Sequence, residues 1–283
     1  MTTVLACIDG SRSAPGVCDY AAWAAQRLNA PLTLLHVLDK GQYPIQPNLS
    51  GSIGLGAREQ LLEELAALDE QRARLALEQG RQLLDAAKQR VTAAGLETAA
   101  TRQRHGDLVE TLSELESDIR LLVMGKVGED HSESAPLIGS HLERVIRTLQ
   151  RPILITPAEF RAPQNLMVAF DGSATMRKGV DMIAASPLFR GLPCHLVAVG
   201  AETPELRKQL DGARWTLEGA GFEVHSAIRS GEVESTLRAY REEQRIDLAV
   251  MGAYGHSRIR QWLIGSTTTN MIRHATVPLL VLR

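Results

Sequence analysis

Gly252, Gly255 and Gly265, followed at once by Ser266 and Thr267, have the types and spacing suited to holding anionic oxygens. Two glycines follow the apolar run 247–251, and the third precedes a stretch rich in small hydroxyl residues. Glycine lets the backbone turn at positive φ and approach a ligand closely. A helix start presents unpaired N–H groups and the positive end of its dipole, and both favour a phosphate. Arg258 adds a cation within the same loop.

The chain carries this arrangement twice. Gly125 and Gly128 follow the apolar run 119–124, and Gly139-Ser140 precedes another helix-length segment, 141–149. Asp9-Gly10-Ser11 closes one apolar run and Asp171-Gly172-Ser173 closes another. Asp9 to Val37 and Asp171 to Val199 both span 28 residues, and Gly139 to Pro152 and Gly265 to Pro278 both span 13. Shared spacing at four landmarks identifies an internal duplication, which governs the fold reading more than local propensity does.

Short apolar runs alternate with amphipathic, helix-length stretches, as in βαβ units around a parallel sheet. Strands are expected near 3–8, 31–37, 96–103, 119–124 and 152–156, and again near 165–170, 193–199, 222–228, 247–251 and 278–282. The fold expected is α/β, with two tandem five-stranded parallel-sheet domains of strand order 3-2-1-4-5, spanning residues 1–157 and 165–283. In that order the ends of the first and fourth strands meet where strand order reverses, the usual place for a ligand. The final strands are expected to pair the halves as an intramolecular pseudo-dimer. Pro157 to Gln164 reads as the connector. Residues 40–95 form an insertion in the first half: a polar loop from Gly41 to Gly56, then a long helix covering Ala57 to Val91, read as a solvated cover for the sheet or as a partner-binding helix.

These 283 residues suffice for two cores. A formal net charge of −2 argues against a nucleic-acid binder relying on many phosphate contacts. Cys7, Cys18 and Cys194 have neither disulfide-framework nor zinc spacing and read as reduced core residues. No spanning apolar stretch or targeting segment is recognised, so a cytoplasmic protein without membrane association is expected. His105, His131 and His256 read as solvent-facing loop residues, because no second ligand stands at metal spacing.

The two Asp-Gly-Ser strand ends, the two Met-Gly strand ends and the Gly-x2-Gly-x9-Gly-Ser loop resemble the universal stress protein family in its tandem form, over nearly the whole chain. The resemblance implies ATP, with or without magnesium, as ligand. It assigns Asp171, Val199, Met251 and Gly252 to the adenosine side, with Asp171 accepting from the nucleoside and Val199 offering main-chain groups to the base. Gly255, Arg258, Gly265, Ser266 and Thr267 fall to the phosphates. Asp9, Val37, Met124, Gly125, Gly128, Gly139 and Ser140 form the corresponding set in the first half. That half departs from the pattern, since ten residues rather than nine separate Gly128 from Gly139, and Glu129, Asp130 and Glu133 stand where the second loop has no acid. The second half is therefore the expected ATP site.

The function expected is that of a stress-response or regulatory protein with at most slow hydrolysis, assembling as a homo-oligomer, a dimer of tandem chains, and read by a regulatory protein partner. No residue identifies itself as catalytic. Two rival readings remain: a scaffold or binder of a non-nucleotide ligand through the first half, and a nucleotidyl-transferring enzyme. The second lacks Ser-Gly-Gly-x-Asp-Ser, His-x-Gly-His and Walker A motifs, and neither first strand is followed by Gly-x-Gly-x-x-Gly.

Overall fold

The computed structural model describes residues 2–38, 55–126, 140–253 and 266–283, without the side chains of residues 55–63, 140, 266 and 267. The first half runs β1 (Thr3–Cys7), α1 (Ala14–Leu28), β2 (Leu32–Leu38), α2 (Leu55–Ala93), β3 (Ala99–His105), α3 (Leu108–Leu115), β4 (Ile119–Gly125), α4 (Ser140–Thr148) and β5 (Ile153–Thr156). The second runs β6 (Leu166–Ala169), α5 (Ala174–Ala185), β7 (Cys194–Val199), α6 (Pro204–Gly219), β8 (Val224–Arg229), α7 (Val233–Glu243), β9 (Ala249–Gly252), α8 (Ser266–Arg273) and β10 (Leu279–Leu282).

Strand order is β3-β2-β1-β4-β5-β10-β9-β6-β7-β8. Each half has the expected 3-2-1-4-5 arrangement, but hydrogen bonding continues across the junction. Instead of two separate sheets there is one ten-stranded sheet, whose β5–β10 pair is antiparallel while the other described pairs are parallel. Ile153, Leu154 and Ile155 face Val281, Leu280 and Leu279 in that ladder, all at most 2 % exposed. Exposing such side chains costs roughly 1.5–3 kcal/mol each, so the junction is an integral part of the core.

Alternation along the strands divides the apolar side chains into two layers. Val4 and Ala6 of β1 join a core beneath α1, α2, α5 and α6, whereas Leu5 faces the opposite core beneath α3, α4, α7 and α8. Strands covered on both faces read as continuous apolar runs; six of the seven residues of β2 are buried.

The third strand of each half begins later than the apolar pattern suggests, at Ala99 rather than 96 and at Val224 rather than 222. The cause is helix capping. Gly95 and Gly221 both have φ of +88°, and the next amides, of Leu96 and Phe222, bond back to the carbonyls of Val91 and Leu217. Leu96 and Phe222 therefore belong to Schellman-type helix ends, where an apolar residue after the glycine packs on the last turn.

The connector lies against α1. Phe160 meets the Tyr20 ring edge-on at 4.7 Å, and the Tyr20 hydroxyl donates to the Arg161 carbonyl at 3.3 Å. Gly16 permits this approach, since a Cβ there would come within 2.3 Å of the Pro157 carbonyl oxygen. Arg27 of α1 adds a bond from Nε to the Leu188 carbonyl at 2.6 Å, a second tie between the halves.

Candidate functional site

The repeated 28-residue spacing is the sheet register itself. Cys7 pairs with Leu35 and Ala169 with Val197, so two residues further on Asp9 is level with Val37 and Asp171 with Val199. On the other side, Val168 pairs with Val250, which puts Asp171 level with Ala253, the residue after Gly252. With neighbouring strands ~4.8 Å apart, Asp171, Val199 and the end of β9 lie side by side at the switch point. The first half brings Asp9, Val37 and Gly125 together by the same construction, with Asp9 level with Lys126.

Local chemistry shapes each strand end. Asp171 Oδ1 accepts from the Ser173 amide at 2.9 Å, across Gly172 at φ +70°, and Ser173 Oγ caps α5 by accepting from Met176 N at 3.2 Å. A short polar side chain bonding two residues on is a turn-forming device, and here it sets both the turn and the carboxylate. Asp9 Oδ1 makes the corresponding bond to Ser11 N at 3.1 Å, but Arg12 and Ser13 intervene before α1 begins, and Ser13 makes no side-chain cap. The same three letters thus open two different helix starts.

Met251 and Met124 have buried side chains in the core, so only their main chain is available at the strand ends. Val199 and Val37 are half-buried and pack against the same core. Gly252 and Gly125 are half-buried at the last positions of β9 and β4. Ser266 and Ser140 are the first residues of α8 and α4, with Thr267 next in α8. Gly255, Arg258, Gly265, Gly128 and Gly139 lie outside the described residues, as do His131 and His256. His105 is exposed at the end of β3.

Two contacts at these strand and helix ends are not evident from the sequence. Thr268, 2 % exposed, directs Oγ1 to the carbonyls of Ala253 at 3.0 Å and Gly252 at 3.4 Å. It ties the first turn of α8 to the end of β9 and so holds that helix start beside the switch point. Its place in a run of three threonines after Ser266 was the available signal. The matching position in the first half is Leu142, which is buried and apolar. Lys126 makes the second. Its ammonium donates to the carbonyls of Arg273 and, at 3.3 Å, Ala275, at the far end of α8 in the other half. Burial holds its pKa below the usual lysine range. A cation at a helix C-terminus is favourable, and this one is engaged away from its own loop.

Among the described residues no cluster of three or more His, Cys, Asp or Glu could hold a metal ion. The three cysteines are unpaired, and burial pushes their pKa values to about 12, 11 and 12 for Cys7, Cys18 and Cys194. Thiols held this far from ionisation are inert core groups.

A doubly wound sheet with helix starts at its switch points is an α/β architecture whose ligand crevice lies at the carboxyl ends of the strands. The universal stress protein family matches residues 1–157 and again residues 163–283, and the chain belongs to that family in its tandem form. A universal stress protein of Synechocystis sp. is 37 % identical over 287 aligned positions that span all of both chains. Among solved structures, a universal stress protein from Archaeoglobus fulgidus superposes with a TM-score of 0.70 at 21 % identity, covering 99 % of this chain and 96 % of that one. A Pseudomonas aeruginosa protein described as a putative universal stress protein gives 0.63 at 15 % identity, covering 100 % and 93 %. These two share the fold.

Proposed function

We propose that the second half binds ATP and that the chain is a nucleotide-responsive regulatory protein of the tandem universal stress type, with at most slow hydrolysis. One observation carries this reading: Asp171, Val199 and the end of β9 share one level of the sheet, with the start of α8 tethered there through Thr268. On this reading Asp171, Val199, Met251 and Gly252 receive the nucleoside, the last two through main chain. Gly255, Gly265, Ser266 and Thr267 hold the phosphates through amides and hydroxyls, with Arg258 as auxiliary charge. When bound, the nucleotide would supply an anionic tail complementary to the helix start, and magnesium would be carried with that tail.

The first-half set, Asp9, Val37, Met124, Gly125, Gly128, Gly139 and Ser140, takes ATP weakly, takes another ligand or takes none. In its support, Lys126, the one lysine between Gly125 and Ser140, is committed to α8, and Leu142 replaces the tethering threonine. The division into units 1–157 and 165–283, a cytoplasmic setting, for which the three reduced cysteines argue, and a regulatory protein partner belong to the same reading. Nucleotide stabilises the liganded form by mass action, which is what such a partner would sense.

Titration calorimetry of ligand-stripped protein with ATP, with and without magnesium, is the test. Heat that saturates in the wild type and disappears in Gly255→Val/Gly265→Val, with dichroism and melting of the unliganded protein retained, is the expected result. Absence of heat from the folded wild type, or full affinity in the double variant, overturns the site assignment.

A further inference from the structure

Helix α2 has two parts with different fates. Gly80, Leu84, Ala87 and Val91 recur at helical spacing, are buried, and lay its final third on the sheet. From Glu64 to Gln79 every residue is exposed except half-buried Leu65 and Ala76. The 25 residues before Gly80 extend about 37 Å at 1.5 Å per residue. The helix thus covers the sheet over its final third, and the part before it projects into solvent.

The projecting part carries an apolar seam. Leu65, Leu68, Arg72 and Leu75 follow one another at intervals of three, four and three. Alternating threes and fours mark a heptad seam. Leu68 is 50 % and Leu75 63 % exposed. Leu68 and Leu75 precede the buried Leu84 and Val91 by 16 residues each, about 160° around the helix, so the seam points away from the sheet.

Charge is segregated along the same stretch. Between residues 64 and 81, Glu64, Asp69 and Glu70 precede Arg72, Arg74 and Arg81, with Glu78 the one acid among the latter. Intrahelical pairs Arg74–Glu70 at 2.6 Å and Arg72–Asp69 at 4.0 Å are exposed, and such pairs hold their partners weakly. A second helix of the same sequence is complementary when antiparallel and like-on-like when parallel. The strand edges β5 and β10 are already used within the chain, so contact between chains needs another surface.

We propose that the projecting part of α2 is a self-association surface, on which a second copy of this chain packs its own α2 antiparallel. Leu65 of each copy lies opposite Leu75 of the other, and the aliphatic stem of Arg72 covers Leu68. The inference is independent of nucleotide binding.

Sedimentation analysis of the full chain across a concentration series is the test. The wild type should have twice the mass of one chain, and Leu68→Glu/Leu75→Glu the mass of a single chain with unchanged dichroism, because both residues are exposed in the single chain. Mild oxidation of Leu65→Cys/Leu75→Cys should trap covalent dimers well above the wild-type background, whereas Leu75→Cys alone should not. In the antiparallel pair its two copies are about 15 Å apart along the axis, beyond disulfide reach. A wild type that stays single at its solubility limit overturns the proposal, as does a dimer that survives the double glutamate substitution, which would place the contact elsewhere. Efficient cross-linking through residue 75 alone overturns the antiparallel arrangement.

Discussion

Replacing Thr268 by valine preserves shape and removes the hydroxyl that joins α8 to the end of β9. The side chain is 2 % exposed and its Oγ1 donates to Ala253 at 3.0 Å, with Gly252 at 3.4 Å the weaker partner. One net hydrogen bond is worth about 1 kcal/mol, more when a buried acceptor is left unpaired. Thr268→Val should therefore lower unfolding stability by ~1–2 kcal/mol, a fall of a few degrees in melting temperature for a chain of this size. Thr268→Ser keeps the donor and loses a buried methyl, at a similar cost of about 0.8 kcal/mol or somewhat more. Stability alone does not separate the two, but ligand affinity does. If the hydroxyl holds the phosphate-binding helix start in place, valine should weaken ATP binding by up to about tenfold, equivalent to ~1.4 kcal/mol, while serine stays near wild type. Calorimetric titration of both variants beside urea unfolding is the assay. Equal affinity in the valine and wild-type proteins would refute the tether's role at the site, and unchanged unfolding would refute the hydrogen bond.

Three further outcomes follow from the geometry. Gly16→Ala forces a methyl toward the carbonyl oxygens of Pro157 at 2.3 Å and Ala158 at 2.6 Å; urea unfolding should show a loss of ~1–3 kcal/mol, and wild-type stability would mean that the connector yields freely. His195, buried beside His225 with Nδ1 3.0 Å from the Tyr240 hydroxyl, has a pKa lowered by burial and then by His225. Its unfolded state binds protons more readily, so its contribution to stability is fully present above the ordinary value of 6.5 and is lost as pH falls through that value toward the folded one; His195→Gln should flatten that part of the stability curve, and an unchanged curve would exclude the histidine as its source. Gly172→Ala places a side chain at φ +70° in the turn after Asp171; a stability loss of roughly 1 kcal/mol is expected, with weaker ATP binding by titration because the carboxylate is set by that turn.

Much of the architecture can be read from local chemistry. Apolar periodicity locates the strands because parallel strands are covered on both faces, and the 28-residue interval between Asp9 and Val37, repeated from Asp171 to Val199, is the pairing offset of adjacent strands. The apolar pattern places strand starts at Leu96 and Phe222 because an apolar residue after a glycine serves a helix end as well as a strand. Met251 looked like part of a binding wall, yet its side chain turns into the core, a choice between faces that one residue's type does not encode.

The amino-acid order by itself determined the duplication, the level of each strand end and the glycine-rich turns, since these depend on neighbours a few residues apart and on a repeat visible as spacing. Tertiary structure alone decided that β5 and β10 fuse two sheets into one, that Lys126 reaches across to the carbonyls of α8, that Thr268 faces the strand end, and that α2 outruns the sheet. Each of these joins groups distant along the chain, and which donor meets which acceptor is settled only when packing brings both to the same place.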